Sequence, residues 1–103
     1  MNIIIVNFSY RSCDQDDYTS EFFFQEDHFE QAKAKFLEII ENAKQDFFDE
    51  GQEFDGIVPV GLEEGMEFSY TEPEGGYGHY YCVNNANLDC PGFYVDMFLQ
   101  EVA

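Results

Sequence analysis

One stretch of the chain has the periodicity of a long amphipathic helix, and it limits the fold more than any other feature. Between about Asp27 and Glu50, apolar residues recur at spacings of three and four, which places them within about 100° of one another on a helix. These residues are Phe29, Ala32, Phe36, Ile39, Ile40, Ala43 and Phe47. Asp27 is predicted to cap the helix and Gly51 to end it. A helix with one apolar stripe needs a second layer to pack against.

The segments before the helix have strand patterns. The run from Asn2 to Phe8 is β-branched and apolar, which predicts a central strand buried on both faces. The polar segment from Arg11 to Ser20 predicts a solvated loop, and a short second strand is predicted from about Glu21 to Gln25.

The chain after the helix is rich in strand patterns. Ile57 to Leu62 contains Pro59 and predicts an edge strand or an extended connection. Met66 to Glu72 and His79 to Asn84 flank a glycine-rich segment and predict a hairpin. Phe93 to Gln100 alternates between core residues and a second set that includes Tyr94 and Phe98, as in a strand with one buried face.

These elements define one fold class. We predict an α+β fold in which a mostly antiparallel sheet packs against one long amphipathic helix, in the order β-β-α-β-β-β. A length of 103 residues supports a single compact acidic domain, residues 1–103, with one core.

The charge of the chain is strongly unbalanced. It has 22 Asp or Glu against four Lys or Arg, and a net charge of −18, yet 45% of its residues are hydrophobic, so it is expected to fold. The three lysines, Lys33, Lys35 and Lys44, all lie in the predicted helix, where Glu30 and Glu41 have i,i+3 spacing to Lys33 and Lys44. Beyond Lys44 no cationic side chain except histidine remains to balance the acids.

This charge excludes several kinds of partner. Direct binding to nucleic acid or to an anionic membrane is disfavoured because both are bound through Lys and Arg clusters. The sequence has neither a membrane-spanning apolar stretch nor the features of a signal peptide, so we expect a cytoplasmic protein. Cys13, Cys82 and Cys90 lack CxxC spacing and predict reduced thiols, although a bond between Cys82 and Cys90 stays open as an alternative.

No pattern for catalysis, metal binding or a cofactor stands out. Asp14 to Asp17 resembles a fragment of a calcium loop, but Thr19 and Gln25 stand where an EF-hand needs glycine and glutamate. The histidines and cysteines lack zinc-ligand spacing. His79 and Cys82 are three apart on a predicted strand and therefore point to opposite faces. We therefore expect that the protein is not an enzyme and that it binds neither a metal nor a cofactor.

The acids of the second half, together with nearby tyrosines, form the predicted binding surface for a basic partner. They are Glu63, Glu64, Glu67, Tyr70, Glu72, Glu74 and Tyr81. Tyrosines supply anchoring contacts at interfaces, and surrounding charges orient the partner. The alternative is that these aromatic residues only cover a second face of the sheet.

In size, net charge and mixed α/β pattern, the chain resembles the small acidic inhibitors of phages and mobile elements, including anti-CRISPR and anti-restriction proteins. The resemblance implies a noncatalytic nucleic-acid mimic that occupies a basic nucleic-acid-binding surface, such as that of a defence nuclease, in the host cytoplasm if the gene is phage-encoded. It assigns no role to any residue. Alternatives are an immunity protein or antitoxin that neutralises a basic nuclease toxin, and a housekeeping domain adapted to high salt. A monomer or small homo-oligomer is expected.

Overall fold

A computed structural model describes residues 1–11, 18–47, 51–62, 64–84 and 92–102. The fold is the α+β fold predicted, with one long helix packed on a five-stranded antiparallel sheet and a small two-stranded sheet beside it. The predicted loop from Arg11 to Ser20 is wrong at both ends, because pairing with neighbouring strands extends the first strand to Arg11 and begins the second at Tyr18. The rest of that segment, residues 12–17, lies outside the described residues, as do Cys13 and Cys90.

The main sheet has the order β2-β1-β7-β6-β5, and every neighbouring pair is antiparallel. The strands β1 and β7, from the two ends of the sequence, therefore lie side by side in its middle. The elements in chain order are β1 (Asn2–Arg11), β2 (Tyr18–Gln25), α1 (Phe29–Phe47), β3 (Phe54–Asp55), β4 (Val58–Pro59), β5 (Met66–Glu74), β6 (Tyr77–Asn84) and β7 (Gly92–Glu101).

The start of the helix differs from the prediction. A 3-10 turn, Glu26–His28, follows β2 directly, and α1 begins only at Phe29. Asp27 lies inside this turn, so its predicted capping role is wrong. Glu26 and Asp27 still place negative charge ahead of the helix, where the helix dipole favours it. At the other end, α1 is described to Phe47, residues 48–50 lie outside the described residues, and Gly51 has φ +91°, a conformation that favours glycine.

The apolar stripe of α1 forms the core with one face of the sheet, which we call the helix face. Phe36 and Ile40 are fully buried, and β1 and β7 meet them with residues that alternate along each strand. The buried cluster consists of Ile4, Val6, Ala32, Phe36, Ile40, Ala43, Tyr80, Cys82, Phe93, Val95 and Met97. The predicted burial of β1 on both faces is confirmed at Ile5, which is 5% exposed although it lies on the opposite face.

The segment after α1 packs on the helix side, next to β6. The hydroxyl group of Tyr80 donates a hydrogen bond to the carbonyl oxygen of Ile57 at 3.1 Å. Lys44 reaches the same segment, with its Nζ 3.3 Å from the carbonyl oxygen of Gly56 and 4.2 Å from the centre of the Phe54 ring. The predicted strand or extended connection at 57–62 is thus one half of a small hairpin, and its Pro59 is buried.

The hairpin of β5 and β6 is confirmed, with a turn at Gly75 and Gly76. Its register shifts between Thr71 and Glu74, next to the buried Pro73. Because proline cannot donate a hydrogen bond to a neighbouring strand, this position suits β5 as an outer strand of the sheet.

Candidate partner-binding surface

The predicted acids follow the outer strand β5. Glu67, Glu72 and Glu74 lie in β5 and Glu64 in the turn before it, and all four are exposed. An extended strand rises about 3.3 Å per residue, so the three strand acids occupy roughly 20 Å of this edge. Glu63 lies outside the described residues.

The two predicted tyrosines lie on opposite faces of the sheet. Tyr70 lies on the helix face, where its ring packs edge to face against Tyr80 with a centroid separation of 6.0 Å. Burial, with a smaller contribution from the carboxylate of Glu72, raises the pKa of the Tyr70 phenol. Tyr70 and Glu72 are therefore close to each other, but Tyr70 is not on the same surface as Tyr81.

Glu67 and Tyr81 do share a surface, which we call the open face: the face of the main sheet opposite α1. Glu67 pairs with Val83, and Ser69 pairs with Tyr81, so Glu67 and Tyr81 are diagonal neighbours on that face. Among the described elements, α1 and the small hairpin both lie on the other side, and Tyr94 and Phe23 remain 37% and 60% exposed here.

Two rows of polar side chains cross all five strands of the open face. Consecutive residues in each row are direct cross-strand partners. The first row is Glu21, Asn7, Asp96, His79 and Thr71, and the second is Thr19, Ser9, Tyr94, Tyr81 and Ser69. All ten side chains carry a hydrogen-bonding group. An apolar strip formed by Phe23, Ile5 and Phe98 runs alongside the first row.

His79 and Asp96 form a short polar contact on this face. The Nδ1 atom of His79 lies 2.8 Å from the Oδ1 atom of Asp96, and about a third of each side chain is exposed. The rings of His79 and Tyr81 lie nearly parallel, at 15°, with centroids 6.2 Å apart. The contact with Asp96 orients the imidazole ring, and the ring in turn supports Tyr81.

The sequence did not single out Asp96 or His79 as partners. Alternation along β7 predicts that Asp96, between Tyr94 and Phe98 in the second set, lies on the non-core side. The missing information was that β6 pairs with β7, which joins these two residues across 17 positions of sequence. The predicted separation of His79 from Cys82 is confirmed, because Cys82 is buried on the helix face.

The lysines lie in α1, on the other side of the sheet, and two of them have anionic and aromatic neighbours. Lys44 pairs with Glu41 at 2.9 Å, as predicted, and Lys35 pairs with Glu38 at 3.4 Å and lies over the ring of Phe22. The predicted pair of Glu30 and Lys33 is not among the ion pairs within 4.0 Å that the described residues form. The three lysines thus lie on the helix side, where acids offset their charge, and the fourth cationic residue, Arg11, lies at the end of β1.

Within the described ranges, no three side chains of His, Cys, Asp or Glu gather as metal ligands would. None of the described helices combines the length and apolar composition that a membrane span requires.

The chain matches no protein-family model, no curated protein and no solved structure. The residues themselves are therefore the basis for a functional proposal.

Proposed function

We propose that this protein is a noncatalytic acidic inhibitor that binds the basic nucleic-acid-binding surface of another protein and acts there as a nucleic-acid mimic. The observation that carries the proposal is the separation of the three lysines from the acids of β5 and of the open face. All three lysines lie in α1, whereas β5 and the open face present Glu67, Glu72, Glu74 and Glu21 to solvent. A surface of one sign attracts a partner of the other sign.

The charge density of the chain is of the right order for such a role. A net charge of −18 over a longest dimension of 43 Å is about one charge per 2.4 Å, between the ~3.4 Å of a single DNA strand and the ~1.7 Å of a duplex. A groove that binds nucleic acid through lysine and arginine therefore meets a comparable density of negative charge here.

Exposed aromatic residues favour binding over adaptation to high salt as the reason for the acidity. Phe23, Tyr77 and Tyr94 are 60%, 54% and 37% exposed. Large exposed apolar groups reduce solubility, which is the property that surface acids would serve in concentrated salt. At a binding surface, the same groups supply the anchoring contacts that charges alone do not.

The test is competition with nucleic acid. The immobilised protein is used to capture basic proteins from the organism that encodes it, and each captured protein is then challenged with duplex DNA. We expect DNA to release the partner at an ionic strength at which sodium chloride alone does not, because both ligands occupy one surface. Release by DNA and salt at equal ionic strength would mean that the acidity acts only as a nonspecific charge.

A second measurement distinguishes a mimic from a protein that was captured through an unrelated surface. The purified partner is titrated with labelled DNA in the presence and absence of this protein. Loss of DNA binding with a stoichiometric end point supports a mimic, whereas simultaneous binding of both ligands contradicts it. If the partner is a nuclease toxin encoded beside this chain, the result identifies the immunity-protein form of the same function.

A further inference from the structure

The most distinctive polar group of the open face is the carboxylate of Asp96, because aromatic rings lie on three sides of it, and Asn7 on the fourth. Tyr94 and Phe98 are its neighbours two residues away on β7, and both lie on the same face. His79 is directly across on β6, with Tyr81 stacked behind it. The carboxylate side chain remains 32% exposed, so a ligand from solvent can reach it.

A second, independent feature of this place is a polar atom without a partner. Ser9 lies on β1 directly across from Tyr94, the residue is 93% buried, and its Oγ makes no hydrogen bond within the described part of the chain. Strand alternation directs Ser9 to the open face, because Val6 and Phe8 pack on the helix face. A buried hydroxyl group without a hydrogen-bond partner destabilises the fold. A ligand that brings a hydrogen-bond donor beside Tyr94 would give the Ser9 Oγ such a partner.

We propose that this part of the open face binds an arginine side chain of the basic partner, with its guanidinium group against Tyr81 and Tyr94 and paired with Asp96. This inference rests on the proposed function, since it specifies which basic group the acidic surface recognises. A guanidinium group is planar, stacks on aromatic rings and has five donors, enough to bond a carboxylate and still reach a hydroxyl group such as that of Ser9.

Charge and chemistry both favour arginine over nucleic-acid bases and over lysine as the ligand of this face. Nucleic-acid bases also stack on such rings, but their phosphates would meet Glu21 and Glu67 on the same face. A lysine is attracted by the same acids, but its ammonium group is a compact, strongly hydrated charge. It has no plane to lay flat against a ring, and it does not form the two parallel hydrogen bonds that a guanidinium group makes with a carboxylate.

The test compares two peptides of equal length and charge, hexa-arginine and hexa-lysine, by calorimetric titration at physiological salt. We expect the wild-type chain to bind hexa-arginine at least five-fold more tightly. Asp96→Asn and Tyr81→Leu should each reduce this preference about five-fold, as the loss of one charged pair or one cation–π contact predicts. Glu30→Gln removes the same charge from the exposed start of α1 and should leave the preference unchanged.

The outcomes separate the two proposals. Equal affinity for both peptides, or a preference that survives both open-face substitutions, overturns the arginine site and leaves the acidic-inhibitor function standing. Failure of both peptides to bind contradicts the proposed function itself. If Tyr81→Leu unfolds, backbone NMR of the wild-type chain gives the answer, because arginine peptide must shift the signals of Tyr81, Tyr94 and Asp96 more than those of α1.

Discussion

The phenol of Tyr80 in β6 and the carbonyl oxygen of Ile57 are joined by a hydrogen bond of 3.1 Å, which links the small hairpin to the core of the sheet. The ring of Tyr80 is fully buried and is stacked on Phe93 with a centroid distance of 5.6 Å. This single residue therefore connects the core to the segment that follows the helix.

The free energy of unfolding should decrease at alkaline pH because the phenol of Tyr80 is buried. Burial above all, with smaller effects of Cys82, Glu41 and Tyr70, raises the pKa of Tyr80 above the ordinary value near 10. The unfolded chain then loses the phenol proton at lower pH than the folded chain. The contribution of this phenol to stability is therefore complete below about pH 10 and is lost above it by up to ~1.4 kcal/mol per pH unit.

The check is urea unfolding of the wild-type chain and of Tyr80→Phe between pH 8 and 11.5. The variant loses the bond to Ile57, which should cost about 1 kcal/mol at pH 8, but its stability should fall less steeply above pH 10. Parallel curves for the two proteins would show that Tyr80 is not the group that titrates.

Phe36 is the residue whose loss should damage the core most. Its side chain is fully buried at the centre of the helix stripe. Phe36→Ala should reduce the free energy of unfolding by about 3 to 5 kcal/mol, since it removes the ring and leaves a cavity. Exposed Ala34 in the same helix is the control position, where Ala34→Ser should cost under 1 kcal/mol. A loss below 1 kcal/mol for Phe36→Ala would contradict this packing.

Gly92 at the start of β7 should not tolerate a side chain. Its φ is +140°, and a Cβ atom there would collide with the carbonyl oxygen of Cys82 and lie 2.7 Å from the Cα of Val83. Gly92→Ala should therefore destabilise the fold by about 3 kcal/mol or more. Gly51 also has positive φ but nothing within 4 Å, so Gly51→Ala should cost only about 1 kcal/mol. Thermal unfolding of both variants measures the difference, and equal losses would exclude the collision.

Acids on and beside β5 should control how fast a basic partner associates. Glu67→Lys combined with Glu72→Lys should slow association roughly ten-fold at low salt and weaken its salt dependence, because steering charges act mainly on the on-rate. Glu30→Lys with Glu38→Lys makes the same change in net charge on α1. Association rates with the identified partner are measured by stopped-flow kinetics. Equal slowing by both double variants would mean that association depends on the net charge and not on the position of the acids.

The two predicted tyrosines should behave differently when truncated. Tyr81→Ala removes an aromatic ring from the open face and should speed dissociation of the partner, with little change in association. Tyr70→Ala removes a ring that packs on Tyr80 and should lower stability instead. Dissociation rates measured by surface plasmon resonance, beside unfolding curves, test this division; faster dissociation without loss of stability in Tyr70→Ala would oppose it.

Local patterns in the sequence were enough for the elements of the fold but not for the geometry of the surface. The stripe around Phe36 and the alternation from Phe93 depend only on neighbours in sequence, and both are confirmed. Strand order and register depend on pairing between distant segments, so the sequence could not place His79 beside Asp96. It also grouped Tyr70 with Tyr81, because a run of tyrosines says nothing about which face each one occupies.

The central position of β1 and β7 has a consequence for the order in which the protein folds. Val6 is directly opposite Met97, so the middle of the sheet forms only when segments about 90 residues apart meet. The helix and the two hairpins, β1 with β2 and β5 with β6, can form early from local contacts, but their apolar sides have no common core until β7 enters between β1 and β6. During synthesis, β1 and β6 therefore each lack a neighbouring strand until almost all of this sequence has been made. The dense negative charge of the chain opposes association between such incomplete sheets, because like charges repel.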